Sequence, residues 1–495
     1  MVLPCVDRSS HEPIYMQIVR QLRRLIEDET LSEGEPLPSS RGMAERLGVN
    51  RSTVYRAYQE LWALGYLESR PGSYTTVRCP PSAGGGDGGR TAGVLEWDRM
   101  TSPGGRDIHR SYLAYTPEAP FDNPPEPVNL SQLDLDPRVF PVTELRRACD
   151  RALGSTGGRA LQYAAAQGDP DLRSFIAERA RTHGMEVRPE EVLITNGSQQ
   201  AIDLVLRVLT EAGQTVALEA PTYAAVIPLM QLHQLRAAGV PMRRDGLDLD
   251  DLERIIVERS PALLYTIPNF QNPTGITTSQ EHRENLLTLC ERFRLPLVED
   301  GFEEEMKYFG KVAQPIKAMD SDKVVVYLGT FSKVLFPGLR IGFVMADAEC
   351  IERLTAVKRF TDLSASNLIQ IALNDFCRRG CYERHIRRMH RVFRKRMLAA
   401  LAAAKEHFPT QHVSWTEPAG GYLIWVSVPG RKVDDARFEE VCRRHRVVVS
   451  PGRYYYAESP AEQQFRISIS MLDEDEIREG FARLGAALHE FCDAG

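Results

Sequence analysis

Lysine is scarce in this 495-residue chain: there are nine, and none precedes Lys307. Any amine nucleophile or Schiff-base lysine therefore has few candidates. Long apolar runs are missing, which excludes a membrane-spanning helix. The N-terminal Met-Val-Leu-Pro-Cys-Val-Asp-Arg lacks the charged-then-apolar pattern of a secretory leader. The nine cysteines are odd in number and scattered from Cys5 to Cys492. Their one close pair, Cys377 and Cys381, has no His or Cys partner at zinc spacing, so reduced thiols in a cytoplasmic protein and no metal site are expected. A net charge of −6 rules out a chain that binds polyanions by bulk charge. What is present is length enough for several domains and 43% hydrophobic residues, enough for a large core.

Gly329-Thr-Phe-Ser-Lys333-Val-Leu-Phe-Pro-Gly-Leu-Arg340 is the richest stretch. A lysine amine forms Schiff bases with carbonyl compounds, and pyridoxal phosphate (PLP) is the commonest such cofactor. Thr330 and Ser332 supply hydroxyl donors for a phosphate, and Arg340 a bidentate partner. Upstream, the apolar run Leu295-Pro-Leu-Val ends in Glu-Asp300, an acid suited to holding a pyridinium nitrogen or simply to capping a helix. Pro268-Asn-Phe-Gln-Asn272-Pro-Thr-Gly275 follows a second apolar run; Asn272 is either a donor to a phenolic ring oxygen or part of an Asn-Pro turn. Val192-Leu-Ile-Thr-Asn-Gly197-Ser-Gln-Gln200 opens a helical pattern, and a helix N-terminus of this kind suits phosphate.

These four segments, in this order, resemble the fold-type I PLP enzymes of the class I/II aminotransferases, from about Val128 onward. The resemblance implies an α/β PLP-dependent transferase domain with a small C-terminal α/β subdomain. It implies Lys333 as the aldimine lysine, Asp300 on the pyridinium and Asn272 on O3′. Ser198, Gln199, Thr330, Ser332 and Arg340 would form the phosphate cup. Tyr223 would stack on the ring, Tyr163 would reach the neighbouring subunit's phosphate, and Arg466 would clamp an amino-acid carboxylate. One departure stands out. Where the family carries a tyrosine donor to O3′, this chain has Phe302, so the ring phenolate loses a donor and the imine pKa should rise.

The first eighty residues read differently. Ile14, Ile18, Leu22 and Leu25 fall at helical spacing. Ser39 or Ser40 can cap a second helix, Gly48 can end it, and Asn50 can cap a third. Two helices across a short Gly-containing turn match a helix-turn-helix, and Tyr66 to Val77 reads as a hairpin turning at Pro71-Gly72. From Pro36 to Arg78 there are six arginines against three glutamates, so positive charge gathers where phosphates would be. The segment resembles a GntR-type winged helix, which implies contacts to double-stranded DNA from Arg41, Arg51, Ser52, Thr53 and Gly72.

The domains are thus read as 1–78, DNA-binding; 79–127, a flexible Gly/Pro-rich linker; and 128–495, PLP-binding. A winged helix joined to an aminotransferase-like domain resembles the MocR subfamily of GntR regulators. The resemblance implies a homodimer that binds an operator and senses an amino compound by external aldimine formation. Two other readings stay open: an active aminotransferase that carries a DNA-binding module, and a regulator that senses PLP itself. The His385-Ile-Arg-Arg-Met stretch, basic as it is, has Tyr382, Ile386, Met389 and Phe393 at helical spacing and reads as an amphipathic helix.

Overall fold

The computed structural model describes residues 4, 6, 7, 12–28, 30–69, 75–78, 97–115, 127–310 and 313–493. The chain divides into two compact units, residues 1–100 and 101–495.

The first unit contains helices α1 (Ile14–Glu27), α2 (Ser40–Leu47) and α3 (Arg51–Ala63), strands β1 (Leu67–Ser69) and β2 (Thr75–Val77), and the short helix α4 (Trp97–Met100). The helical spacing of α1 places Ile18 and Leu22 in a core with Met43 of α2 and Val54, Ala57 and Leu61 of α3. The Ile, Leu, Met and Val side chains among these contribute about 1.5–3 kcal/mol each. The caps act as the sequence predicts. Ser39 Oγ accepts the Gly42 N–H at 3.2 Å, and Gly48 closes α2 in the left-handed region at φ 61°. Asn50 Oδ1 accepts the Ser52 N–H at 3.1 Å and so caps α3, which starts at Arg51. The Tyr58 hydroxyl donates to Pro38 O at 2.9 Å, tying α3 to the chain that enters α2. Strands β1 and β2 pair antiparallel, Leu67 opposite Val77. The expected Pro71-Gly72 turn lies outside the described residues.

The second unit opens with α5 (Pro103–Tyr115), β3 (Val128–Asn129), α6 (Val142–Thr156), α7 (Pro170–Thr182), β4 (Val192–Thr195), α8 (Ser198–Leu209), β5 (Thr215–Ala220) and α9 (Val226–Leu232). Then come β6 (Arg236–Arg243), β7 (Gly246–Leu247), α10 (Leu249–Arg259), β8 (Leu263–Thr266), α11 (Gln280–Phe293), β9 (Leu297–Asp300), β10 (Val325–Thr330) and β11 (Gly342–Met345). It ends with α12 (Ala348–Thr361), α13 (Asn367–Arg378), α14 (Cys381–His407), β12 (Ser414–Trp415), β13 (Leu423–Val428), α15 (Asp435–Arg444), β14 (Val447–Val448), β15 (Ser450–Pro451), β16 (Gln463–Ser468) and α16 (Glu474–Asp493).

The main sheet has the order β4-β11-β10-β9-β8-β5-β6-β7. Strands β10, β9, β8, β5 and β6 are mutually parallel, while β11 runs antiparallel to both its neighbours. Both faces are covered, so β8, β9 and β10 are buried at every position. A smaller antiparallel sheet, β12-β13-β16-β15, forms the C-terminal subdomain. In α14, Tyr382, Ile386, Met389 and Phe393 are all buried, which makes this basic stretch an amphipathic helix. No helix among the described residues is long and apolar enough to cross a membrane.

Part of the stretch expected to be flexible linker is helical. Pro103 starts α5, the Ser102 hydroxyl accepts the Gly105 N–H at 3.2 Å, and Ser111 Oγ donates to Gln231 Oε1 of α9 at 2.8 Å. The glycine-rich run before it, 79–96, lies outside the described residues.

Removing the α3 cap should be felt locally. In Asn50→Ala, α3 should lose about 1 kcal/mol, read as faster hydrogen exchange of its first-turn amides in the full chain. Unchanged exchange would show that tertiary packing alone holds the turn.

Candidate functional site

The carboxyl ends of the strands deliver the predicted residues to one edge of the sheet, where ligands bind in open α/β folds. Asp300 ends β9 and Thr330 ends β10, with Ser332 and Lys333 in the turn beyond. Asn272 follows β8, Tyr223 follows β5, and Gly197-Ser198 joins β4 to α8.

Lys333 donates from Nζ to Leu133 O at 2.7 Å. Burial holds its pKa below the ordinary lysine value, opposed by Asp134 and Glu303; a lysine so placed is the more readily neutral and nucleophilic. Its own carbonyl accepts the Tyr422 hydroxyl at 2.8 Å. Asp300 is buried, and burial pushes its pKa up to about 6. One of its oxygens, Oδ2, accepts the Tyr265 hydroxyl at 2.6 Å. The other, Oδ1, is buried with no partner.

Thr330 Oγ1 accepts the Ser332 N–H at 3.0 Å, and Ser332 Oγ is buried without a partner. Gly197 precedes α8 at φ 86°, and a Cβ there would lie 2.5 Å from Arg340 Nη2, so only glycine lets the guanidinium lie against this helix start. Arg340 donates to Asn196 O at 3.3 Å. Ser198 is the first residue of α8. Gln199 Oε1 accepts the Tyr223 hydroxyl at 3.2 Å. Arg466, on β16, donates from Nη1 to Asn272 Oδ1 at 3.2 Å and from Nη2 to Ser131 O at 2.6 Å, with its Nε–H buried and unpartnered. The pairing draws the small sheet's arginine to the Asn272 loop. Tyr163 stands at the surface, 79% exposed.

In the first unit, Arg51 and Ser52 are exposed at the start of α3, with Thr53 half-buried. Arg41 lies on α2 with its side chain 80% exposed, 3.5 Å from Glu45. Gly72 lies outside the described residues.

Comparison with known proteins agrees on both units. The family "Aminotransferase class I and II" matches residues 127–484, and "Bacterial regulatory proteins, gntR family" matches residues 14–77. The probable rhizopine catabolism regulatory protein MocR of Rhizobium meliloti is 30% identical over 484 residues, 97% of this chain and 95% of its own. A 2-aminoadipate transaminase of Thermus thermophilus is 38% identical over 356 residues, 71% of this chain and 87% of its own. The crystal structure of an alpha-aminoadipate aminotransferase from that species, complexed with N-(5'-phosphopyridoxyl)-L-leucine, has a TM-score of 0.74 at 33% identity, covering 81% of this chain and all of that one. The chain belongs to the MocR-type GntR regulators, with a class I and II aminotransferase domain.

Pyridoxal phosphate is the cofactor this family implies. The regulator's residues fit it. Asp300 Oδ1 and Ser332 Oγ are the unpartnered buried atoms that a ring nitrogen and a phosphate would satisfy. The Gly197 cradle beside Arg340 and the free N-terminus of α8 suit the phosphate.

Several residues at the regulator's site carry no local signal in the sequence. Tyr265 lies on β8, 35 positions before Asp300 in the chain, and meets it only through the pairing of β8 with β9. Asp362, after α12, accepts from Asn196 Nδ2 at 2.5 Å and from Gln200 Nε2 at 2.7 Å, and pairs with the buried Lys358 at 2.6 Å. Tyr422 closes over the Lys333 carbonyl from the far end of the fold. Glu303 is buried with no side chain bonded to either carboxyl oxygen.

The Tyr265–Asp300 pair sets a pH dependence. In the cofactor-free regulator Asp300 is protonated below about 6, so the rate of cofactor uptake should fall as pH drops through that value. Tyr265→Phe removes a hydrogen bond that favours the carboxylate, so the inflection should move to higher pH, and cofactor affinity at pH 7 should drop roughly tenfold. Stopped-flow uptake across pH 5–8 checks both; an unmoved inflection would take the titration away from Asp300.

Proposed function

We propose that this regulator binds a DNA operator through α2 and α3 and adjusts that binding to a small amino compound taken up at Lys333. The carrying observation is that one chain joins an exposed arginine-bearing helix-turn-helix to a buried lysine electrostatically linked to Arg466 and Arg340. Pyridoxal phosphate bound to the lysine supplies an electrophilic carbon that takes primary amines in covalent exchange. The chain's own residues do the rest. Lys333 holds the cofactor and gives way to the incoming amine. Asp300 would keep a negative charge for the ring nitrogen, Asn272 would serve the ring oxygen, and Tyr223 would cover the ring. Arg340, Ser198, Gln199, Thr330 and Ser332 hold the phosphate. Arg466 receives the effector's carboxylate, for which it must part from Asn272 or Ser131. That exchange of partners is a difference between ligand-free and ligand-bound states that can bias DNA affinity. The exposure of Tyr163 supports a homodimer in which it completes a second subunit's phosphate site. A regulator with DNA as its partner works in the cytoplasm.

Transamination is a second reading, favoured by the complete set Lys333, Asp300, Asn272 and Arg466 and by the 38%-identical transaminase. Phe302 speaks against rapid turnover. It packs in the apolar cluster with Tyr265, Val298 and Leu423 and offers no hydroxyl. The Tyr265 hydroxyl, the obvious substitute, is spent on Asp300, which leaves Tyr308, whose buried hydroxyl has no partner.

Three measurements test the proposal. Purified protein should carry a visible absorption band that Lys333→Ala abolishes, and borohydride reduction should fix the adduct on the peptide containing Lys333; an adduct elsewhere would overturn the assignment. Phe302→Tyr should lower the pH midpoint of that band, because a phenol donor stabilises the ring oxygen's anion. An unchanged midpoint would assign the role to Tyr308. Arg51→Ala should weaken operator binding by roughly 1–3 kcal/mol and relax its sequence preference. Equal footprints for wild type and variant would remove α3 from base reading.

A further inference from the structure

Glu303 is a carboxyl left over when every group of the site has been given a partner. Pyridoxal phosphate and a simple amino acid together present a ring nitrogen, a phosphate, one amine and one carboxylate. Asp300, Arg340 with the start of α8, Lys333 and Arg466 answer these in turn. Glu303 answers none of them, yet it lies three residues beyond Asp300 on the same turn. It is fully buried, and no side chain hydrogen-bonds to either oxygen; beside the Lys333 and Arg466 charges, only the backbone of Tyr422 favours its ionised form. Its Oε2 is packed against Gly421 so closely that a Cβ there would lie 2.4 Å away. That glycine adjoins Tyr422, whose hydroxyl is bonded to the Lys333 carbonyl.

A buried carboxyl without a hydrogen bond costs about 1–3 kcal/mol, and more if charged. The cations that favour its charged form are Lys333 and Arg466, the two residues proposed to meet the effector. Even with both acting, burial leaves its pKa at about 8, so the pull is incomplete. Once Lys333 is engaged with the cofactor and Arg466 with a carboxylate, that pull weakens further. What the position lacks is a cation brought from outside.

We infer that Glu303 recognises a second, cationic amino group on the effector, so that the amino compound sensed is a diamino carboxylic acid. The inference rests on the reading that Lys333 and Arg466 take an amino acid. A ligand ammonium is the group that both desolvated oxygens can accept from, and it neutralises the carboxylate in place. A second carboxylate on the ligand would bring no cation to Glu303, and would meet a like charge wherever Glu303 is ionised.

The test is a spectral titration of the full-length, cofactor-loaded protein with L-lysine, L-norleucine and L-2-aminoadipate, which differ in the group at the chain end. L-lysine should bind at least about tenfold more tightly than norleucine, with aminoadipate the weakest. In Glu303→Gln the lysine-to-norleucine ratio should fall to within about twofold. A purely structural role for Glu303 would shift both ligands alike and preserve the ratio, which overturns the inference. So does wild-type protein that binds norleucine as well as lysine, a result that needs no variant to fold. Response to norleucine without preference for lysine defeats the inference alone. No response to any of the three, in protein whose absorption band still depends on Lys333, defeats the amino-acid reading and the inference with it.

Discussion

Desolvation at the carboxyl edge of the sheet is the constraint on which the rest of the second unit depends. Four acidic residues, Glu219, Glu299, Asp300 and Glu303, are buried there, and burial pushes each carboxyl upward, to about 7, 7, 6 and 8. Their partners differ, and so do their jobs. Glu219 accepts from Thr266 Oγ1, the Ile267 N–H and Gln271 Nε2, so it is a brace that fixes the loop carrying Asn272. Glu299 accepts the Ile316 and Lys317 N–H groups, both at 2.8 Å, and anchors the chain that returns toward β10. Both are satisfied and structural. Asp300 is half satisfied and Glu303 by no side chain at all, and these two lie on the turn beside Lys333. The gradient from satisfied to unsatisfied marks where the fold stops serving itself and begins to serve a ligand.

The basic groups follow the same logic. Lys358 is a fully buried lysine, tolerable only because Asp362 lies 2.6 Å away. Asp362 spends its second oxygen on Asn196 and Gln200, at the two ends of the turn that contains Gly197 and Ser198. The helix start that suits a phosphate is thereby clamped from behind by an ion pair on α12. Arg340 completes the frame by donating to Asn196 O from the other side. The turn that opens α8 is thus braced by the half-buried Asp362 on one side and by Arg340 on the other.

How much of this was legible in the sequence depended on whether a contact was local. The caps at Ser39, Gly48 and Asn50 involve residues two or three apart, and each was readable and is present. The strand-end position of Asp300 was readable because the apolar run Leu295-Pro-Leu-Val leads up to it. The α5 helix was missed because the surrounding composition is glycine- and proline-rich, although Ser102-Pro103 is a local start signal. Tyr265, Asp362 and Tyr422 reach the site across 35 to 166 positions, and no periodicity encodes such meetings. Glu303 was hidden differently. In Glu-Glu-Glu a solvated acidic run is the plain reading, and only the fold separates the three: Glu303 has no side-chain partner, Glu304 hydrogen-bonds to Asn269, and Glu305 pairs with Arg179 and His183.

Arg466 is where the two sheets and the start of the second unit meet. A sensor changes DNA affinity only by the difference in free energy that its ligand has for two states of the protein. Binding that merely filled a rigid pocket would shift nothing. Arg466 is not idle in the ligand-free chain: it is bonded to Asn272 on the main sheet's edge and to Ser131 near the start of the second unit, while its own strand belongs to the small sheet. One guanidinium therefore ties three parts of the fold. A carboxylate that claims it must loosen at least one tie, and each tie lost is worth about 1–3 kcal/mol for a charged donor. That range matches the coupling energies by which distant sites commonly sense one another. In the proposed reading, the residue that would take the effector's carboxylate is thus also the one whose rearrangement would report it.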